Sequence, residues 1–408
     1  MIDKQNRNNL LICLTLVSFG FFGSLSHVFI LALIISNLKI YIQNYKKRTN
    51  QDYAIPLFFA LTGCFFLFLI SGILHNHSEN LLTSLSPIFP IPFIGLLIIF
   101  QGSTGFKLSS KQVANFSQIS VTFSLLVYLL LSISSGPESY FYRFHTGRLY
   151  LFSGNPIPFS FSLLGVSLFC LADWRNSESK GKIIAVSCFF IGVYFSVFLS
   201  GTRGALLSLL IITPIIIFYL SNKFLLTLFI TLGIGSTGGL IFYFSILGFI
   251  EHRYLDNIKN GLLTLTLINE SEGSVLHRLI MWSAAIEAIS DAPLIGHGIT
   301  RRYSALKPYF PNSFPSHSHP HNDIFASIIS IGIFGAITAF ISLISGFIAS
   351  LLTPIWSSEK LYFGIMMSSL TLVTASVSTV FFNDITSAWL AFSTYLMWVT
   401  NFKKDDVV

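Results

Sequence analysis

The sequence predicts an all-α, polytopic integral membrane protein, and three observations support this prediction. The chain of 408 residues is 53% hydrophobic and only 10% charged, whereas soluble domains carry about 25% charged residues. Its mean hydropathy is +0.72. Apolar runs recur to the end of the chain, and a helix needs roughly 20 such residues to cross a bilayer. This composition excludes a disordered protein, a nucleic-acid-binding domain and an ordinary cytosolic enzyme, and a transmembrane barrel would show alternating segments of about 10 residues.

The apolar runs predict about 12 transmembrane helices in a single membrane domain, residues 1–408. One large periplasmic loop, residues 250–322, is predicted between the ninth and tenth spans, and it contains amphipathic helices. The predicted spans are roughly 9–24, 27–44, 54–74, 85–102, 117–134, 156–172, 183–200, 204–221, 223–249, 323–350, 361–381 and 385–402.

The basic residues predict that both termini are cytoplasmic, because Lys and Arg of short loops stay on that side. With this orientation the inner side carries twelve Lys and three Arg, whereas the outer side carries seven Arg, two Lys and all ten His. Arg grips phosphate with a fixed bidentate fork, and His exchanges protons near neutral pH. We therefore expect a site for an anionic substrate on the periplasmic side. The alternative is that outer loops simply concentrate polar residues.

Other signals narrow the chemistry. The four cysteines, Cys13, Cys64, Cys170 and Cys188, fall inside apolar runs and are expected to be buried hydrophobic residues. The first apolar run lacks a small-residue cleavage site, which predicts a retained span rather than a signal peptide. The sequence contains no Walker loop, GxGxxG or HExxH motif, so nothing in it suggests ATP binding or a zinc protease.

A tight turn is predicted between the seventh and eighth spans, at Leu199–Ala205 (LSGTRGA). Gly201 and Gly204 permit such a turn. Arg203 would then lie at the outer membrane edge, where exposed backbone N–H groups could join it around an anion. The alternative is an interfacial arginine that extends to lipid headgroups. We favour the anion site, since ionisable groups at such positions are usually functional.

An amphipathic helix is predicted over residues 274–290 of the large loop, with Ser274 as its N-cap and Pro293 just beyond its end. Arg278 lies near the start of this helix, where the helix dipole disfavours positive charge. This placement favours an anionic partner, and a solvated charge is the alternative. The residues at helical spacing are Leu276, Leu279, Ile280, Ser283, Ala284 and Glu287.

Three alternating histidines precede the tenth span in Ser316–Asp323 (SHSHPHND). Asn322 is a good N-cap and Asp323 suits the positive end of a helix. His321 would then lie just outside a helix N-terminus, whose field disfavours imidazolium, so it should be neutral and able to accept a proton from a hydroxyl. The alternatives are a transition-metal site, for which no further ligand cluster is evident, and a structural cap with solvated histidines.

Asp384 is an acid between the last two spans, in Phe381–Ile385 (FFNDI). It could hold a histidine or arginine of the site, or it could belong to a polar turn.

In their order and topology, these motifs resemble the O-antigen ligase superfamily, which includes the lipopolysaccharide O-antigen ligase, O-antigen polymerases and bacterial protein O-oligosaccharyltransferases. The resemblance covers about residues 195–390, and the first half of the chain matches in span pattern alone. The matching residues are Thr202-Arg203, Arg278–Trp282 (RLIMW), Ala292–Gly296 (APLIG), His319–Asn322 (HPHN), Gly332 and Gly335.

The resemblance implies an inner-membrane glycosyltransferase that needs no metal, ATP or other cofactor. Its donor would be a glycan on undecaprenyl diphosphate, and its acceptor a sugar hydroxyl of the lipid A–core. His321 would correspond to the catalytic histidine, with His319 in support, and a single displacement would invert the donor linkage. The substrate-binding residues would be Arg203, Arg278, Asn322 and Asp384, with Arg143, Arg148, Arg301 and Arg302 as weaker candidates for phosphate contacts.

Within the superfamily, the single large outer loop near the C-terminus and the HPHN arrangement are more typical of a ligase than of a polymerase, which is the second choice. Protein oligosaccharyltransferases rank third, since they usually carry a larger C-terminal portion. A transporter of the same lipid would need the repeat symmetry of alternating access, which the sequence does not show. Besides donor and acceptor, the expected partners are membrane lipids and no nucleic acid, and the oligomeric state is not predicted.

Overall fold

The fold is built almost entirely from α-helices. The computed structural model describes residues 4–21, 25–44, 51–75, 81–104, 107–135, 155–200, 202–221, 274–311, 320–352 and 357–402. Two short strands, β1 (Leu108–Ser109) and β2 (Thr400–Asn401), pair in parallel. The helices of the described part are α1 (Lys4–Phe21), α2 (Leu25–Asn44), α3 (Gln51–Leu74), α4 (Leu81–Leu85), α5 (Pro90–Thr104), α6 (Ser110–Ser135), α7 (Pro156–Phe169), α8 (Ser179–Val193), α9 (Arg203–Ser221), α10 (Ser274–Asp291), α11 (Asp323–Ile331), α12 (Ile333–Leu343), α13 (Ser345–Leu352), α14 (Ser358–Val377) and α15 (Asp384–Val399). Short 3-10 helices lie at Ser86–Ile88 and Ser304–Tyr309, and a π-helical turn at Tyr194–Leu199 extends α8.

Several of these helices are long and apolar enough to cross a membrane. Among the described residues there are five, or up to seven if each of two bent pairs forms one span. The five are Tyr53–Leu74, Ser110–Leu130, Ser179–Leu199, Gly204–Ser221 and Ser358–Val377. The predicted all-α fold with several apolar spans is therefore confirmed. The count of 12, the cytoplasmic termini and the periplasmic loop stay predictions, and the ninth span at 223–249 lies outside the described residues.

Two predicted spans are broken rather than continuous. In the predicted span 85–102, Leu81–Ile88 and Pro90–Phe100 meet at 49°, because proline removes a backbone donor and clashes with the preceding turn. The predicted span 323–350 is divided among α11, α12 and α13, and α12 and α13 meet at 57°. Gly332, between α11 and α12, has φ 72° and ψ −160°, which is not helical. The hydropathy of the sequence therefore predicted which residues are apolar in these two spans. It did not predict that the helices bend within them.

Hydrogen bonds between helices fix the packing around α11. Ser71 Oγ on α3 donates to the carbonyl of Ser330 at 2.8 Å. Ser342 Oγ on α12 donates to the carbonyls of Ala60 and Leu61, both at 3.0 Å. Such serine contacts let helix backbones approach closely where no water competes for the bond. They hold α11 and α12 against α3.

The end of the bundle that the lysines predict to be cytoplasmic is closed by charged contacts. Lys360 on α14 is buried, and its Nζ donates to the carbonyls of Trp398 at 3.3 Å and Thr400 at 3.0 Å. It therefore caps the C-terminus of α15, where a cation is favoured. Arg175 Nη1 pairs with Glu359 Oε1 at 3.0 Å. The N-terminus of α11 lies at the other end, and that end contains the candidate site.

Candidate active site

Helices α10 and α11 bring two sequence motifs together that are about 40 residues apart. Trp282 Nε1 on α10 donates to the carbonyl of Pro320 at 2.8 Å, directly before His321. The Trp282 ring also meets Phe325 on α11 edge-on, with centroids 6.1 Å apart. Arg278 lies one helical turn before Trp282 and therefore on the same face of α10. The RLIMW and HPHN motifs thus form one structural unit.

His321 occupies a strained turn at the start of α11. Among the described residues it is the non-glycine residue with positive φ, at 47°. Left-handed backbone costs about 1–2 kcal/mol for most side chains, although histidine adopts it more often than most. Directly after it, Asn322 Oδ1 accepts the N–H groups of Ile324 at 3.0 Å and Phe325 at 3.1 Å. The predicted N-cap is confirmed, and it places His321 just outside the helix.

The surroundings of His321 favour its neutral form. Burial lowers the pKa of this imidazole below its ordinary 6.5, and the positive charge of Arg278 lowers the pKa further. The N-terminal end of α11 acts in the same direction, because the helix dipole disfavours a cation there. A neutral, half-buried imidazole at a protein surface can accept a proton from a bound hydroxyl.

Asp323 anchors the start of α11 to the segment before α15. Its side chain is fully buried, and its Oδ2 accepts the backbone N–H groups of Val380 and, at 2.8 Å, of Phe381. From the sequence, Asp323 was expected only to suit the positive end of the helix. The signal that a buried carboxylate would instead bind a second segment is absent from its local sequence, because both donors are backbone groups far along the chain.

A backbone clasp joins the segment after α10 to the junction of α11 and α12. The two segments form backbone hydrogen bonds with each other here, although neither of them is a β-strand. The three bonds are His297 N to Ile329 O at 2.6 Å, Gly298 N to Ser330 O at 3.1 Å, and Ile333 N to Pro293 O at 2.9 Å.

Two motif glycines make this clasp possible. Gly296 has φ 67°, and a Cβ there would lie 2.5 Å from the backbone nitrogen of Ile331. Gly332 has φ 72°, and a Cβ there would overlap the carbonyl group of Leu294. Both glycines therefore supply a backbone conformation and a close approach that other residues cannot. The APLIG motif and Gly332 of the following span therefore contact each other through their backbones.

The buried face of α10 is formed mainly by small side chains. Buried positions are Met281, Ala284, Ala285 and Ala288, whereas Leu279 is 38% exposed. The residues that recur at helical spacing in the sequence therefore do not share one buried face, since Glu287 is exposed as well. The alanines permit close packing against Ile329 of α11 and the Ser304–Tyr309 turn. Periodicity alone favoured the larger apolar residues, but the contact with α11 selects the smaller ones.

Arg302, a weaker candidate for phosphate contacts, is buried against aromatic rings. Its guanidinium lies 4.4 Å from the ring centroid of Tyr303 and 4.2 Å from that of Phe382. Its Nη1 donates to the carbonyl of Ile299 at 2.7 Å. Because Phe382 directly follows the segment that Asp323 holds, Arg302 contacts the same part of the chain.

For the other predicted site residues, the structure gives less information about their position relative to His321. Arg203 begins α9 as expected, but its side chain lies outside the described residues, as does His319. Asp384 is the exposed first residue of α15, and no ion pair joins it to a basic residue within the described part of the chain. Asn322 uses its Oδ1 for the helix cap. The structure therefore brings Arg278, His321 and Asn322 together.

Comparison with known proteins agrees with this geometry. Residues 186–340 match the family model described as O-antigen ligase. The match includes the start of α9, all of α10 and α11, and the clasp between them. This similarity agrees with the resemblance found from the motifs, and the apolar helices indicate a membrane protein.

A relative from Haemophilus influenzae, described as an uncharacterized protein, is 25% identical over 257 residues. The alignment covers 62% of this chain and 60% of the relative. The chain therefore spans less than two thirds of that relative's length.

Proposed function

We propose that this protein transfers an O-antigen glycan from undecaprenyl diphosphate to a sugar hydroxyl of the lipid A–core, on the periplasmic side of the inner membrane. The observation that carries the proposal is the placement of Arg278 beside His321 at the N-terminus of α11. A cation next to a neutral imidazole suits a reaction in which a diphosphate departs and a hydroxyl loses its proton.

In this proposal the acceptor oxygen attacks the anomeric carbon while the bond from that carbon to the diphosphate breaks. His321 takes the proton of the attacking hydroxyl. Arg278, together with Arg203, stabilises the negative charge that develops on the departing diphosphate. The diphosphate is already a good leaving group, so ATP is not required. A single displacement inverts the donor linkage and forms no covalent glycosyl-enzyme.

The pairing of Arg278 with His321 gives the donor a second role. In the free enzyme the arginine charge lowers the pKa of His321 and keeps the base neutral. A bound diphosphate offsets that charge, and a nearby anion favours the protonated imidazole. Donor binding therefore strengthens the base at the moment when it must accept a proton.

Asn322 and Asp323 act through His321 rather than on the substrate. The amide oxygen of Asn322 is engaged by two backbone donors, and the Asp323 carboxylate by two others. We assign both as positioning residues. Asp384 keeps its place in the proposal as an exposed acid at the same end of the bundle.

The test is a deletion strain, analysed for its lipopolysaccharide ladder and for glycans on the polyprenyl carrier. Long polymer stranded on the carrier, together with bare core, would establish a ligase. Core capped by a single repeat unit would establish the polymerase and overturn the acceptor assignment while leaving the site intact.

Complementation of that strain tests the residues. His321→Ala should abolish transfer at normal protein abundance. His75→Ala is the control, because this histidine hydrogen-bonds to the α3 backbone through Nδ1 at 2.8 Å from Ser71 O. Full activity of the His321→Ala protein would contradict the general-base role and would favour a transporter of the same lipid.

A further inference from the structure

A groove runs between α6 and α8, away from the candidate active site. It has a volume of about 440 Å³ and opens toward the surroundings of the bundle. The two helices touch at its floor, where Thr122 Oγ1 lies 4.0 Å from Cys188 Sγ. Its walls include exposed apolar side chains, among them Leu126 and Ile184.

The groove is mostly apolar, with three polar residues toward the start of α6. Asn115, Gln118, Thr122 and Leu126 line it in that order, and their spacing places them on one stripe of α6. Ile119 and Phe123 line the groove as well, so apolar side chains follow its whole length and the polar ones lie nearer to the start of α6. An apolar groove with polar side chains near one end suits a molecule with a polar head and a hydrocarbon tail.

Lysines continue the polar end of the groove. Lys111 lies one turn before Asn115 on α6, and Lys180 lies one turn before Ile184 on α8, so each extends its lining stripe. Both lysines are exposed. The two helices begin at the same end of the bundle, because Ser110 Oγ donates to Asp173 Oδ1 at 2.9 Å, joining the start of α6 to the segment before α8.

The balance of charge at this end is positive. The exposed cations Lys107, Lys111 and Lys180 are accompanied by the half-buried Lys182. The acids at this end are Asp173, whose carboxylate accepts hydroxyl donors, and Glu178, which is exposed directly before α8. Positive helix ends add to this field, since both stripes start in the first turn of their helices.

The dimensions match a single acyl chain. With a rise of 1.5 Å per residue, the stripe from Asn115 to Leu126 is about 16 Å long. A bilayer has a hydrocarbon core of about 30 Å, so the groove spans about one leaflet. The lysines predict that this is the cytoplasmic leaflet, where anionic lipids attract basic side chains.

We propose that this groove binds an anionic phospholipid. The phosphate lies between Lys111 and Lys180, the polar glycerol region meets Asn115, Gln118 and the neighbouring Ile184, and one acyl chain runs along Phe123 and Leu126. The proposal is independent of the glycosyl-transfer activity, because the groove shares no residue with the candidate active site.

The test measures lipid binding to the full chain, purified in detergent and depleted of lipid. Phosphatidylglycerol and phosphatidylethanolamine with identical acyl chains are titrated separately, and bound lipid is counted by native mass spectrometry. We expect phosphatidylglycerol to bind more tightly. Each of Lys111→Gln and Lys180→Gln should weaken it about fivefold, and the double variant about 25-fold, since a lysine near an anionic surface contributes about that factor.

A matched pair of variants tests the groove itself. Ile183 and Ile184 are adjacent residues that are 67% and 52% exposed. Of these two, Ile184 lines the groove and Ile183 does not. Ile184→Trp should fill the groove and abolish binding, whereas Ile183→Trp should leave it unchanged. Thermal unfolding without lipid shows that each variant is folded.

Three results would overturn the proposal. Equal affinity for the two lipids would show that the head group is not recognised by charge. Retained binding in Ile184→Trp would place the lipid elsewhere. A loss of affinity in Lys307→Gln as large as in Lys111→Gln would show a general effect of net charge.

Discussion

Replacing Gly332 with alanine should break the clasp that joins the segment after α10 to α11 and α12. With φ 72° and ψ −160°, Gly332 occupies a region that is essentially restricted to glycine. Its new Cβ would overlap the carbonyl of Leu294. That carbonyl cannot move freely, because the adjacent Pro293 carbonyl accepts the N–H of Ile333 at 2.9 Å.

The structure gives the magnitude and a control. The backbone conformation costs about 1–3 kcal/mol for a non-glycine residue, and an overpacked site costs about 1–3 kcal/mol more. The expected loss of stability is therefore about 2–6 kcal/mol. Gly346 on α13 is the control, because a Cβ there would meet Met367 Cβ at 3.6 Å, an ordinary contact. Gly346→Ala should stabilise the helix by about 0.5–1 kcal/mol.

The assay is thermal unfolding of the purified protein in one detergent, with hydrogen exchange of the clasp as a local measure. Gly332→Ala should unfold at lower temperature and lose protection at residues 297, 298 and 333, whereas Gly346→Ala should do neither. An unchanged melting temperature with full protection in Gly332→Ala would refute the reasoning. It would mean that the segment after α10 is not held against the junction of α11 and α12.

Three further predictions concern the surroundings of His321. Burial and, after it, the charge of Arg278 lower the pKa of His321 in the free enzyme, and the protonated imidazole cannot act as a base. The acidic limb of the kcat/KM profile should therefore lie below pH 6.5. Arg278→Gln should move the limb to higher pH and Arg278→Lys should not; an unmoved limb in both would disprove the coupling. Asn322→Ala and Ser357→Ala each remove an N-cap and should lower the free energy of unfolding by about 1 kcal/mol. Only Asn322→Ala should also lower kcat, and equal kcat values in the two variants would argue against a role of Asn322 in positioning His321. Trp282→Phe should lose about 1 kcal/mol with its hydrogen bond and lower kcat with little change in donor KM; an unchanged kcat would show that this bond does not position the base.

Features that depend on neighbouring residues were predicted well from the sequence. Asn322 begins a helix at the expected position, and α10 ends at Asp291, just before Pro293. Caps and proline act within one turn, so the chemistry that determines them is visible locally. The apolar content of the helices is equally local.

Features that depend on tertiary partners were not predicted. The packed face of α10 is set by the alanines that fit against Ile329, and no periodicity reveals that choice. Arg302 carries a charge that suggested phosphate, yet it stacks between Tyr303 and Phe382. The break at Gly332 follows from the clasp, because the glycine conformation is needed only once another segment approaches its backbone.

The geometry of His321 itself bears on whether it is a functional residue or merely part of a cap. The same kind of cap occurs at α15, where Asn383 Oδ1 accepts the N–H groups of Ile385 and Thr386. The residue before that cap, Phe382, has no positive φ, so an asparagine cap does not require a left-handed residue before it. The strained turn at His321 therefore needs another cause. Strained residues persist where the surrounding structure over-determines them. Here the Trp282 hydrogen bond fixes the carbonyl just before His321, and the cap fixes the residue just after it. Because both sides are held, the imidazole is positioned independently of substrate, as a general base requires, whereas a solvated cap would gain nothing from the strain.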